Sequence, residues 1–116
     1  MALKITPDML AAVYDLLSVC PPFNKWNMPD SEDVKFQVIR TKDRTAHYCM
    51  RKGVHIIAVS SAYVGRHEML ISSVAHEMIH LHMAVNCWNR RNPHDAAFQK
   101  FADQVCRVHE FDRLTF

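Results

Sequence analysis

Apolar residues recur along the chain with two different periods, and the changes of period divide it into elements. Met9, Val13, Leu16, Leu17 and Cys20 lie three or four residues apart, the spacing of a buried helical stripe. Ahead of them, Thr6-Pro7-Asp8 supplies an N-cap, a first-turn proline and a first-turn acid. A helix is predicted there, ended by Pro21-Pro22. The stretch from Pro21 to Asp33, rich in proline, asparagine and aspartate, predicts a surface loop anchored by Phe23 and Trp26.

At Val34 the period changes to two. Val34, Phe36 and Val38 alternate with Lys35 and Gln37, and turn-type residues at Thr41 to Arg44 and Arg51 to Gly53 divide the region. Three antiparallel strands are expected, at about 34–40, 45–50 and 54–60. The third, Val54-His55-Ile56-Ile57-Ala58-Val59, is the most apolar and β-branched, so it should pack against a helix. A loop through Gly65 follows.

Arg66 to Asn86 contains no proline or glycine and is apolar nearly all round, the mark of a helix buried on most sides. One stripe breaks that rule, because Ser73, His76, Glu77 and His80 share a face. After a loop through Trp88 and Arg90-Arg91, Asn92-Pro93-His94-Asp95 reads as a second N-cap with first-turn proline and acid. The last helix would bury Phe98, Phe101, Ala102, Val105 and Val108. Helix, three strands, helix, helix is an α+β order, expected to form one domain over residues 1–116.

Composition narrows the possibilities. With 116 residues, 49% hydrophobic and 22% charged, the chain has the balance of a folded domain and not that of a disordered tail or a membrane span. The N-terminus, MALKITPDML, has no apolar stretch of signal-peptide length, so a cytoplasmic protein with no membrane partner is expected. Cys20, Cys49, Cys87 and Cys106 are widely spaced with no C-x-x-C pair, which suits reduced, mostly buried thiols. A net charge of +2 is too small to imply nucleic acid by itself. Eight histidines are the unusual feature.

His76-Glu77-Met78-Ile79-His80 explains two of them as an H-E-x-x-H sequence on a helix. Residues four apart lie one turn above each other, so both imidazoles can converge on one tetrahedral Zn2+ while Glu77 reaches a water in its open position. A catalytic site needs a third protein ligand. Met83 and Asn86 stand where a metzincin has glycine and histidine, which excludes that subclass. Glu110, the sole glutamate after Glu77, is one candidate for the third ligand. His94 is the better one, because the start of a helix favours neutral imidazole. His82 lies roughly opposite His80 on the helix and should pack structurally, as should His47, His67 and His109. His55 is the one to watch, since the third strand should pass near the metal.

Three segments together resemble the SprT-like family, which includes the Spartan proteases that degrade proteins crosslinked to DNA. They are Gly53-Val54-His55-Ile56-Ile57-Ala58-Val59-Ser60, Val74-Ala75-His76-Glu77-Met78-Ile79-His80 and Pro93-His94-Asp95-Ala96-Ala97-Phe98. The last is similar to the H-G-x-x-F segment that carries the family's third ligand, with Asp95 in place of glycine. The resemblance implies a minimal zincin-like fold: an N-terminal helix, a small antiparallel sheet, an active-site helix and a C-terminal ligand-bearing helix. It implies that His76, His80 and His94 bind one zinc ion and that Glu77 activates water. No cysteine quartet follows the last helix, so the resemblance is to the metallopeptidase domain without the zinc ribbon, and recruitment to DNA does not carry over.

The leading expectation is thus a zinc metalloendopeptidase acting on a protein or peptide laid along the third strand as an added edge strand. A non-catalytic zinc-containing module that binds a protein is the rival, and Glu77 weighs against it. DNA binding through Lys35, Arg40, Lys42, Arg44, Arg51 and Lys52 is a third reading, interrupted by Asp43. Trp88 and Arg90-Arg91 are candidates for a substrate rim, ordinary loop exposure being the alternative.

Overall fold

The computed structural model describes residues 4–86 and 93–116. Helix α1 spans Pro7–Ser18, strands β1, β2 and β3 span Val34–Ile39, Ala46–Arg51 and Val54–Ser60, and helices α2 and α3 span His67–Val85 and Ala96–His109. Short 3-10 turns at Phe23–Lys25 and Ser31–Asp33 punctuate the loop between α1 and β1. The architecture is α+β, with the helices on one face of the sheet. Among the described residues no helix is long and apolar enough to cross a membrane.

The sheet is mixed, not antiparallel throughout. Its order is β1-β3-β2, with β1 parallel to β3 and β2 antiparallel to it. The last two strands form a hairpin in which Arg51 pairs with Val54. Lys52 and Gly53 between them both have positive φ, 51° and 78°, as a two-residue turn of this hand requires. Alternation cannot reveal which strand takes the centre. Burial decides it: Ile56, Ile57, Ala58 and Val59 are all buried, so β3 gains most from neighbours on both sides, and the chain leaving β1 passes the end of β3 to reach β2 on its far side.

Val34, Phe36, Val38, Ala46, Tyr48, Ile57 and Val59 share the sheet face that meets the helices. Leu70, Val74, Ala75, Met78, Ile79 and Leu81 of α2 fill the space between that face and the outer helices, all at 1% exposure or less. As the pattern predicted, α2 is buried on most sides, and removing this much apolar surface from water is the main force fixing it. The α1 stripe is rotated from its expected position. Leu10, Tyr14 and Leu17 face the core, Met9 and Val13 flank it, and Leu16 is 55% exposed. Tyr14 can occupy a buried position because its hydroxyl donates to the Pro29 carbonyl at 2.6 Å. On α3, Phe98, Ala102 and Val105 are buried as expected, whereas Val108 is exposed and Cys106 takes its place.

The loop anchors are where the sequence put them. Phe23 is fully buried, and Trp26 stacks on His82 with ring centroids 4.4 Å apart. His82 is accordingly a packed residue on the side of α2 away from His80. The thiols of Cys20 and Cys49 are half-buried and that of Cys106 is buried, all three unbonded; Cys87 lies outside the described residues.

Candidate metal centre

Helical geometry puts the rings of His76 and His80 on the same face of α2, 5.1 Å apart. The third histidine arrives from another part of the chain. His94 Nε2 lies 3.2 Å from His76 Nε2 and 3.2 Å from His80 Nε2, and the three nitrogens all fall within 4.8 Å of one another. Two ligand nitrogens on a tetrahedral zinc, each at 2.0–2.1 Å, stand about 3.4 Å apart. The observed spacing is close to that. A single nitrogen on His94 cannot donate to two partners at once, so hydrogen bonding alone does not account for the cluster. The donor set fits a metal ion.

His94 does not sit in the first turn of α3. The helix begins at Ala96, and Asp95 is its N-cap, its carboxylate accepting from the Phe98 backbone N–H at 3.1 Å. The expected cap, Asn92, lies outside the described residues, as do Trp88, Arg90 and Arg91. A cap is chosen by which side chain reaches an unpaired N–H two or three residues ahead, and Asp95 does so. His94 is therefore exposed, just ahead of the helix, with its carbonyl accepting from Gln99 Nε2 at 3.2 Å. Glycine is also a favoured N-cap, so aspartate in its place leaves the turn intact. Phe98, one turn on, packs its ring against all three histidines at 4.6–4.9 Å. Glu110, the alternative third ligand, caps the far end of α3 and is not in the cluster.

The electrostatics favour metal binding. Burial, then the neighbouring histidines, lowers His76 to about 3 and His80 to about 4, so both rings stay neutral at physiological pH. Glu77 is only 5% exposed, and burial raises its carboxyl to about 8, with the Arg44 guanidinium acting in the opposite direction. A metal cation beside it would add to the effect of Arg44 and favour the carboxylate.

Two cavities flank Glu77. One, of about 450 Å³, is lined by Arg44, His47, Tyr48, Met50, His80 and Pro93 among others; the second, of about 270 Å³, is lined by Ala46, Ser73, His76 and Phe116 among others. Strand β2 borders both. It pairs only with β3 among the described residues, so its other edge is open to the cleft. The expectation that the third strand forms the open edge is thus corrected: β3 has both edges paired and cannot accept another strand. His55, on that strand, is held instead by the Tyr48 hydroxyl, 2.7 Å from its Nδ1, and does not line either cavity. His47 does line one, and its Nδ1 is buried without a hydrogen-bond partner. Burial, with Arg44 and Arg51, lowers its pKa and favours the uncharged ring.

Sequence reasoning missed Arg44, β2 and Phe116 as parts of the site. None is near the histidines in the chain, and only the central position of β3 and the return of the tail bring them there.

A model of the SprT-like family matches residues 19–114, from the end of α1 through the whole sheet, α2, α3 and most of the tail. The chain belongs to the SprT-like family. No curated protein sequence matches it. Within this SprT-like chain, the histidine cluster and the open edge of β2 are the features that bear on chemistry.

Proposed function

We propose that this SprT-like chain is a zinc metallopeptidase in which His76, His80 and His94 hold one zinc ion and Glu77 is the general base. The carrying observation is the convergence of three Nε2 atoms at near-ligand spacing beside a buried glutamate that makes no hydrogen bond or ion pair with the described residues. Zinc bound by three histidines lowers the pKa of its water toward about 7 and polarises a carbonyl.

Glu77 then accepts the water's proton and passes it to the leaving nitrogen, a role typically worth about 10² to 10⁴ in rate. Its burial serves that task. A carboxylate in a site with little water holds its proton long enough to deliver it, and Arg44 helps keep it ionised at the start of the cycle. A peptide in extended form can pair with the free edge of β2, with alternate side chains directed toward the two cavities on either side of Glu77. A module that kept zinc only for folding would have no need of a buried acid next to its first ligand.

The test compares zinc content and peptide-library cleavage in the wild type and Glu77→Gln. Zinc retained with cleavage lost is the expected result. Cleavage unchanged in Glu77→Gln overturns the role of Glu77, and a wild type with zinc but no cleavage of any peptide favours the binding module.

A further inference from the structure

The six residues after Glu110 reach the metal cluster at two points, one directly and one through Gln99, and neither supplies a ligand. After Glu110, which takes a left-handed conformation with φ 60° and reverses the chain, the tail folds back alongside α3 toward α2. Phe111 and Phe116 stack with centroids 5.8 Å apart, and the Phe116 ring lies 5.2 Å from that of His76. Phe116 and His76 also line the same cavity beside Glu77. The second point is Arg113. Its Nε donates to Asp103 at 2.6 Å and its Nη2 to Gln99 Oε1, while the other end of the Gln99 amide donates to the His94 carbonyl.

We infer that Phe111 to Phe116 form a strap that positions the metal centre, with Phe116 fixing the ring of His76 and Arg113, through Gln99, fixing the backbone of His94. The inference rests on the metal reading above. Outer contacts of this kind fix the orientation of a ligand imidazole, and loss of such support typically weakens metal affinity by about 10 to 100-fold. The ion pair of Arg113 is too exposed to matter much for folding, with side chains 36% and 69% accessible. Its value lies in where it holds Gln99. The same logic explains why the exposed His94, with no helical turn around it, stays aimed at two half-buried histidines.

The experiment measures zinc affinity by chelator competition, the visible spectrum of the cobalt-substituted protein, and the thermal midpoint of the metal-free protein. The variants are Phe116→Gly, Phe116→Leu, Arg113→Ala and Gln99→Glu. Phe116→Gly should weaken zinc by about 10 to 100-fold and alter the cobalt spectrum, whereas Phe116→Leu, which keeps an apolar anchor against His76, should restore most of the affinity. Gln99→Glu keeps a partner for Arg113 but removes the donor to His94, so it should weaken zinc by about tenfold without lowering the metal-free midpoint. Arg113→Ala should do the same. Should Phe116→Gly fail to fold, Gln99→Glu and Arg113→Ala decide the matter alone. Affinities and spectra equal to wild type in those two variants overturn the strap. A wild type that binds no zinc overturns the metal reading itself, a result the variants cannot mimic.

Discussion

The cluster has two unlike halves. His76 and His80 ride on α2, whose apolar surface is locked between sheet and helices, and their relative position is set by one helical turn. His94 is exposed, lies ahead of α3 and is held by a cap, an amide and the packing of Phe98. One half is preformed by the core; the other is aimed by a few polar contacts. Metal binding should therefore order the His94 side more than the α2 side, and each half should fail differently when altered.

The largest expected effect is chemical and confined to the α2 half. Glu77→Gln should lower peptide hydrolysis by about 10² to 10⁴ with zinc content unchanged, read from steady-state rates and metal analysis. Next comes metal affinity. His94→Ala should weaken zinc by at least about 100-fold while leaving the metal-free thermal midpoint near that of the wild type, because the side chain is exposed. Met78→Ala, two residues from either α2 histidine of the cluster and fully buried, should instead cost about 2–5 kcal/mol of stability in denaturant unfolding. Equal effects of these two substitutions on the metal-free midpoint would break the distinction between the halves.

Acidity separates the halves more gently. In the metal-free protein His76 and His80 titrate near 3 and 4, below their ordinary 6.5, so the unfolded chain takes up protons that the folded one refuses, and stability falls as pH drops below about 6.5. Glu77 works in the other direction. With its carboxyl raised from 4.5 to about 8, the folded state keeps a proton the unfolded state releases, and stability falls as pH rises through that interval. His47 and His82, also lowered by burial, add to the acid-side loss, so the histidines outweigh one glutamate below about 6.5 and the midpoint measured in chelator should peak at or slightly above pH 6.5. Zinc should remove the decline on the alkaline side by favouring the carboxylate; a midpoint in chelator that climbs from pH 6.5 to 8 would contradict the burial of Glu77. The smallest effect belongs to the His94 half. Asp95→Ala should cost about 1 kcal/mol in unfolding and Asp95→Gly only a few tenths, since glycine also serves as a cap.

Much of this was legible in the chain. Thr6 caps α1 as Thr6-Pro7-Asp8 predicted, accepting from the Met9 N–H, and strands and α2 fall within a residue or so of their expected bounds. These are local effects, written in spacing and caps. The start of α3 was misplaced because Asn92 and Asp95 offer similar chemistry three residues apart, and α1 was rotated because Tyr14 counts as polar until its hydroxyl finds Pro29.

The sequence by itself determined the pairing of His76 with His80 and the place of Glu77 beside them, because the period of a helix converts spacing directly into geometry. It also determined that α2 would be buried. Only the tertiary structure decided that β3 takes the centre and leaves the edge of β2 open, that His94 and not Glu110 joins the pair, and that Phe116 and Arg113 return to brace them. Those outcomes depend on contacts between residues far apart in the chain, where the competing arrangements are separated by burial and packing and leave no periodic mark on the sequence.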